Sequence, residues 1–174
     1  MRMEKGSGAG LAQDMRAEFD RSFAQTVQPA PIKESLMQIR VGQERFVVRV
    51  QDTAGIAKPK RILSIPSRIP EMLGLATIEG NIMPVFDLAA LLKVGGSGNP
   101  TLVLLVDFDG PAGLAFDALE LTVQVPVSGE GGSAAGRHVR SLVPVGPAMR
   151  PLIDMSGILC TIRRNSADGV PPRE

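Results

Sequence analysis

Tryptophan and tyrosine are absent from this chain of 174 residues, and six phenylalanines are its only aromatic side chains. Stacking platforms for single-stranded nucleic acid or RNA have almost nothing to be built from. One cysteine cannot close an internal disulfide, which excludes a disulfide-built secreted scaffold. One histidine and one cysteine fall short of the four such ligands of a closed zinc site, so no metal and no other cofactor is expected. Charge of one sign is not in excess: 19 Lys and Arg face 18 Asp and Glu. A net charge of +1 supports neither bulk nucleic-acid affinity nor a charge-driven membrane anchor. No apolar run approaches the length of a membrane span, and residues 1–8 lack the apolar core of a signal peptide, so a cytoplasmic protein without direct membrane insertion is the expectation.

What is present points to a β protein with an adequate core. The apolar fraction is 44%, and 19 Gly with 14 Pro indicate many turns and short elements rather than a helical bundle. Residues 1–32 read as an N-terminal extension. Within it Leu11, Met15, Phe19 and Phe23 recur every four positions, which predicts an amphipathic helix over 11–25, ended by Pro29 and Pro31. Such a helix either packs on its own domain or is offered to a partner groove.

From residue 35 the period changes to two. Met37, Ile39 and Val41, then Phe46, Val48 and Val50, predict a hairpin with one buried side around a turn at Gly42-Gln43-Glu44-Arg45. Ile62 to Pro66 is a short apolar piece. Ala76 to Ile78 and Ile82 to Phe86 flank a turn at Glu79-Gly80-Asn81, and Asp87 suits a helix N-cap before Leu88, Leu91 and Leu92. Lys93 to Pro100, with Gly95-Gly96-Ser97-Gly98, reads as a flexible joint. Leu102 to Val106 is an apolar run expected to be buried on both faces. Asp109-Gly110 is a turn, Gly113 to Phe116 and Leu121 to Val125 are strands, and 126–137 is a polar, Gly-rich loop. Leu142 to Val145 and Leu152-Ile153 form a last hairpin around Gly146-Pro147. A final helix starts at Asp154, and 164–174 reads as a disordered tail.

The segment Met83 to Leu92 is echoed by Arg150 to Leu159. Both follow x-P-apolar-apolar-D-apolar-x-x-apolar-L, a strand that ends at an Asp cap and turns into a helix. Two such closures imply two similar β subdomains.

No catalytic site can be assembled. His138 reads as a loop-end residue beside Arg137 and Arg140, and Cys160 as a packed or half-exposed thiol in the last helix. Asp107 and Asp109 fit a strand-end turn better than an acid–base pair. The Gly95–Gly98 run lacks the Lys-Ser/Thr of a phosphate loop. A small β protein with apolar surface and no evident chemistry works by binding another protein.

The stretch Leu36 to Leu92 resembles the CheW family of chemotaxis coupling proteins. Gly74-Leu75-Ala76-Thr77-Ile78-Glu79-Gly80-Asn81-Ile82-Met83-Pro84-Val85-Phe86-Asp87-Leu88 matches the family's run of glycines, apolar positions, proline and Asp-Leu. Leu102 to Val106, Gly113 to Asp117 and Pro151 to Asp154 fit its second half. The likeness covers 33–163 and implies a mainly β fold of two packed SH3-like β-barrels with short helices. It implies no enzymatic activity and a role as adaptor between the cytoplasmic tip of a chemoreceptor and the regulatory domain of a CheA-type histidine kinase. It places the partner-binding surface on Val50, Thr53, Ile56, Gly74 and Glu79. Glu79 stands where typical members carry the Arg of N-L-R-G, and Gly55 where they carry an acidic residue. Both members of a possible ion pair are thus replaced together, which leaves no charge stranded. The alternatives are a CheW-like accessory protein that tunes one partner, or an unrelated SH3-like binding module.

Overall fold

The computed structural model describes residues 33–107, 109–126 and 136–167. The helix expected over 11–25 and the segments 127–135 and 168–174 lie outside the described residues.

The hairpins that turn at Gly42-Gln43, Glu79-Gly80 and Gly146-Pro147 follow from two-residue turns, whose twist matches that of the strands they join. Strands β1 (Lys33–Val41) and β2 (Glu44–Arg49) are joined at Gly42-Gln43, with Val41 opposite Glu44. The turn is two residues shorter than the sequence suggests, because Glu44 and Arg45 already pair with β1. Val50 does not continue β2; it opens a 3-10 turn, Val50–Asp52. Next come β3 (Gly55–Ala57), β4 (Met72–Ile78) and β5 (Asn81–Asp87), with Glu79-Gly80 between the last two. Of the apolar piece 62–66, only Leu63 pairs, by a bridge to Leu75. Helix α1 (Leu88–Leu92) is capped by Asp87, whose Oδ1 accepts the Ala89 N–H at 2.9 Å, and ends at Lys93 in the left-handed region.

The second half repeats the order. Strands β6 (Leu102–Asp107) and β7 (Pro111–Phe116) form a hairpin, followed by β8 (Ala118–Pro126), β9 (Val139–Val145), β10 (Ala148–Ile153) and helix α2 (Met155–Ala167). Helix α2 begins one residue after Asp154. It runs three residues beyond Arg164, so the expected tail is helical as far as Ala167; Asn165 Nδ2 donates to Glu71 there, at 3.2 Å.

The two halves exchange their hairpins. One sheet has the order β8-β1-β2-β10-β9, the other β3-β6-β7-β5-β4. The hairpin of the first half is thus completed by the last three strands of the second half, and the reverse. Both closures are parallel: β10 joins β2 at Leu152–Val47, and β5 joins β7 from Val85–Gly113 to Asp87–Ala115. The echoed segments are these two closing strands with their helices. The two expected barrels therefore take the form of two like five-stranded sheets, but neither is a continuous piece of chain.

Each central strand feeds two cores. Met37, Ile39, Val41, Phe46 and Val48 from one sheet meet Leu104, Val106, Leu114, Phe116 and Phe86 from the other, with Leu88, Leu91, Ile158 and Ile162 of the helices. The opposite faces hold smaller clusters: Ala76, Ile78, Met83, Val85, Val103 and Ala115 in one sheet, Leu36, Val47, Val145 and Leu152 in the other. Strand β6 is buried on both faces as its composition requires. The β1–β2 hairpin is also two-sided, with Leu36 and Val47 fully covered, so the expectation of one buried side is corrected. Alternation of apolar residues with Gln38 and Arg40 hides this, because Gln38 is buried while donating to Glu120 at 2.6 Å.

The segment Lys93 to Pro100, expected as a flexible joint, is tied to the sheets by hydrogen bonds at and beside it. Asp117 receives hydrogen bonds from the Gly42 N–H and the Ser97 hydroxyl, its own N–H donates to Arg40 at 3.1 Å, and its carbonyl accepts from Thr101 Oγ1 at 2.9 Å. A Cβ on Gly42 would fall 1.7 Å from the Gly95 oxygen, so glycine is what lets turn and connection touch. Asp117 ties the turn of one sheet to a strand end of the other.

His138 holds the start of β9 against α2. Its carbonyl accepts the Asp154 N–H at 2.8 Å, and its Nε2 lies 3.3 Å from Thr161 Oγ1. A Cβ on Gly157 would come within 3.1 Å of Nδ1, so Gly157 makes room for the ring. Desolvation first, and the Arg137 charge second, push the imidazole pKa below its ordinary range; the Asp154 carboxylate pulls the other way and the Arg164 charge adds to the lowering.

Two outcomes follow from these contacts. Asp117→Ala leaves the Gly42 N–H unpaired and should cost about 2 kcal/mol in urea unfolding; a loss below about 0.5 kcal/mol would make the Asp117 contacts incidental. Because the fold favours neutral His138, its contribution is complete above the unfolded pKa and is lost as pH falls through the lower folded value. Wild type should therefore lose stability between pH 7 and 5 relative to His138→Asn, which keeps a residue tolerant of the 60° φ at this position. Parallel stability–pH curves would rule the effect out.

Candidate functional site

The sheet β3-β6-β7-β5-β4 has two edges, β3 and β4, and the connection 58–71 passes between them. Edge strands offer backbone and side chains that no neighbour covers. Between these edges lies a cleft of about 810 Å³, with Ile56 of β3 on one side, Ile78 and Glu79 at the end of β4 on the other, and Leu63 and Ile82 beside them. Leu63 is 52% exposed and Ile82 70% exposed, high for large apolar side chains.

Two of the five residues carried over from the family pattern line this cleft. Ile56 is half-buried and packs against the common core. Glu79 is exposed on the β4–β5 turn. Glu79 and Gly80 have φ of 52° and 82°, the left-handed pair of a type I′ turn. Gly55, the other position at which the family's charge is replaced, directly precedes Ile56 and faces no backbone closely.

The remaining three stand elsewhere. Val50 is exposed on the 3-10 turn, and Thr53 closes that turn by donating its hydroxyl to the Val50 carbonyl at 2.9 Å. The adjacent Ala54 N–H donates to Leu105 at 2.8 Å, which ties the turn to β6. Gly74 is buried and presents no surface. A Cβ there would lie 2.1 Å from the Leu63 oxygen at a φ of 144°, so its contribution is to let the Leu63 backbone lie against β4. The Leu63–Leu75 bridge, with N···O distances of 2.7 and 2.9 Å, then holds Leu63 in the cleft wall. Gly74 shapes the site through Leu63 rather than by contact.

The cleft also contains Lys58, Pro59, Lys60 and Arg61, none of which the sequence reading singled out. The signal was a basic run with no acidic residue among its immediate neighbours.

The other candidates have structural partners. Asp107 Oδ1 accepts the Gly110 N–H at 3.3 Å, and Asp109 pairs with Arg163 at 2.9 Å, which confirms a strand-end turn. Cys160 is exposed on α2 rather than packed. Glu120 receives Arg45 at 2.7 Å, and that hydrogen bond chiefly holds its carboxyl below the ordinary range. Among the described residues no three His, Cys, Asp or Glu side chains group as metal ligands, and no helix is long and apolar enough to cross a membrane.

The fold is similar to that of a solved structure, the scaffolding protein TtCheW from Thermoanaerobacter tengcongensis. The TM-score is 0.63 at 18% sequence identity, over 70% of this chain and 89% of that one. A search of curated sequences returns no match. The family model of the CheW-like domain matches residues 35–162, which takes in both exchanged hairpins, both closing strands and most of α2, so the chain belongs to the CheW-like domain family.

Proposed function

We propose that this protein is a chemotaxis coupling adaptor that works in the cytoplasm and acts by binding, joining the cytoplasmic tip of a chemoreceptor to the regulatory domain of a CheA-type histidine kinase. The observation that carries this reading is the match to the CheW-like domain across both halves of the fold. The similarity of fold to a scaffolding protein supports it. So does the chemistry of the side chains. His138, Asp107 and Asp109 are taken up in holding turns and α2, and the described residues lining the cleft include no nucleophile–base pair.

Within this reading Ile56 and Glu79 meet a partner directly. Val50 and Thr53 present the turn before β3, and Gly74 sets the position of Leu63. Glu79 occupies an exposed turn, so reversing its charge should change folding stability by less than about 1 kcal/mol. It changes the field that an incoming surface meets far more.

The test is a titration of the chain against a receptor cytoplasmic fragment and a kinase regulatory domain from the same genome. Both should bind wild type. Glu79→Arg should alter the affinity for at least one of them several-fold while its thermal melt stays within a few degrees of wild type. Cys160→Ala should leave both affinities within a factor of two. Failure of wild type to bind either fragment would remove the coupling role. Binding of only one would favour an accessory protein that tunes a single partner.

A further inference from the structure

Four arginines of the described residues stand in ion pairs. Arg40 and Arg45 face Glu120, Arg49 faces Glu34, and Arg163 faces Asp109. Lys58, Lys60 and Arg61 stand in none of these pairs and line one cleft together. They fall within four consecutive positions, all three are exposed, and among the described residues none has an ion-pair partner. Pro59 fixes its own φ, and Lys58 before it is biased to an extended conformation, so the run resists collapse into a helix. Three like charges held this close repel one another, and an anion placed against them relieves that repulsion.

The same three side chains line the cleft that Leu63 and Ile82 make apolar. The lining is therefore basic at Lys58, Lys60 and Arg61, apolar at Leu63 and Ile82, and acidic at Glu79. We infer that it takes an acidic segment of a partner protein carrying a large apolar side chain. The carboxylates lie along Lys58, Lys60 and Arg61, and the apolar side chain sits against Leu63 and Ile82. Glu79 sets the direction, because it repels the acidic end of the segment from the β4–β5 turn. A nucleic acid fits less well. Its phosphates would continue past Glu79, and the lining residues offer no aromatic face for a base. This inference rests on the reading of the chain as a protein-binding module and adds the chemistry of what it binds.

Phage-displayed random dodecapeptides selected on the full chain test it, with counter-selection on the triple variant Lys58→Glu, Lys60→Glu, Arg61→Glu. The enriched peptides should be net acidic and carry Leu, Ile, Met or Phe. In fluorescence anisotropy their affinity should fall at least tenfold in the triple variant and in Ile82→Asp, and should weaken between 50 and 300 mM NaCl. It should rise in Glu79→Arg. Thermal melts near wild type show that the variants are folded, as expected for exposed positions. Enrichment of neutral or basic peptides, no enrichment, or equal affinity for wild type and variants overturns the inference. So does tighter binding of a labelled single-stranded oligonucleotide that the triple variant abolishes. The receptor and kinase fragments are titrated on the same proteins. If acidic peptides bind as expected and neither fragment binds, the coupling role fails and the cleft assignment stands. If both fragments bind and no acidic peptide does, the reverse holds.

Discussion

Neither sheet can be completed by one half of the chain. The hairpin β1–β2 finds β8, β9 and β10 only in the second half, and β6–β7 finds β3, β4 and β5 only in the first. The two parallel closures, β2 with β10 and β5 with β7, are the points at which this exchange is secured. Parallel neighbours need a long crossover and are stable when covered on both faces. Between β2 and β10 the chain runs through β3 to β9, and between β5 and β7 it runs through α1, the connection 93–101 and β6. Leu152 and Val85 accordingly sit in the two outer clusters, while Ile153 and Phe86, one residue on, sit in the common core. The strict alternation of the closing strands is what lets one short segment seal two hydrophobic layers. The Asp that follows then starts a helix whose apolar side covers the common core.

Exchange brings the halves into close contact, and that contact is polar where it is tightest. Gly42 and Gly95 approach so nearly that any side chain on Gly42 would collide with a carbonyl. Backbone groups this crowded cannot reach water easily, so an internal partner is needed. Asp117 supplies it, with one carboxylate oxygen for the Gly42 N–H and the other for Ser97. The segment 93–101 joins the halves in sequence, and this carboxylate joins them in space. A stretch whose glycine content suggests a loose joint is thus held by hydrogen bonds.

That stretch marks the limit of what the sequence discloses. All strands but the short β3, the turns at Glu79-Gly80 and Gly146-Pro147, the Asp87 cap and the duplication were legible, because each depends on spacing or on one residue type with a fixed backbone preference. The exchange of hairpins was not. Alternating apolar residues show that a strand has a buried face and say nothing of which strand covers it. For the same reason Leu36 and Val47 pass for exposed positions until a second layer is placed on them. The glycines of 95–98 signal flexibility locally and close approach only when Gly42 is opposite. At the site, the family pattern located Ile56 and Glu79 on the cleft. It could not separate a surface residue from one such as Gly74, whose whole effect passes through Leu63. Lys58, Lys60 and Arg61 lay outside the pattern, and only the structure shows that no acid answers them.

Duplication also explains why the cleft is where it is. Each half runs from an edge strand to its closing hairpin through one connection: 58–71 after β3, and 127–138 after β8. Each closing hairpin carries a large exposed apolar residue at the corresponding place, Ile82 before Met83 and Met149 before Arg150 in the echoed segments. Two like closing hairpins on one chain would attract like partners unless something made them differ. The connections do so. The first holds Pro59, Pro66 and Pro70 and four basic residues; the second is built from glycine, serine and alanine around a lone Glu130, with Arg137 at its end. Proline in an exposed connection lowers the entropy lost when a partner orders it, whereas glycine raises that loss. The cleft lined by the first connection is thus both charged and stiff, and stiff charges beside apolar side chains select an occupant before contact is complete. A pseudo-symmetric fold becomes a directional one by changing the composition of one connection and leaving the sheets alone.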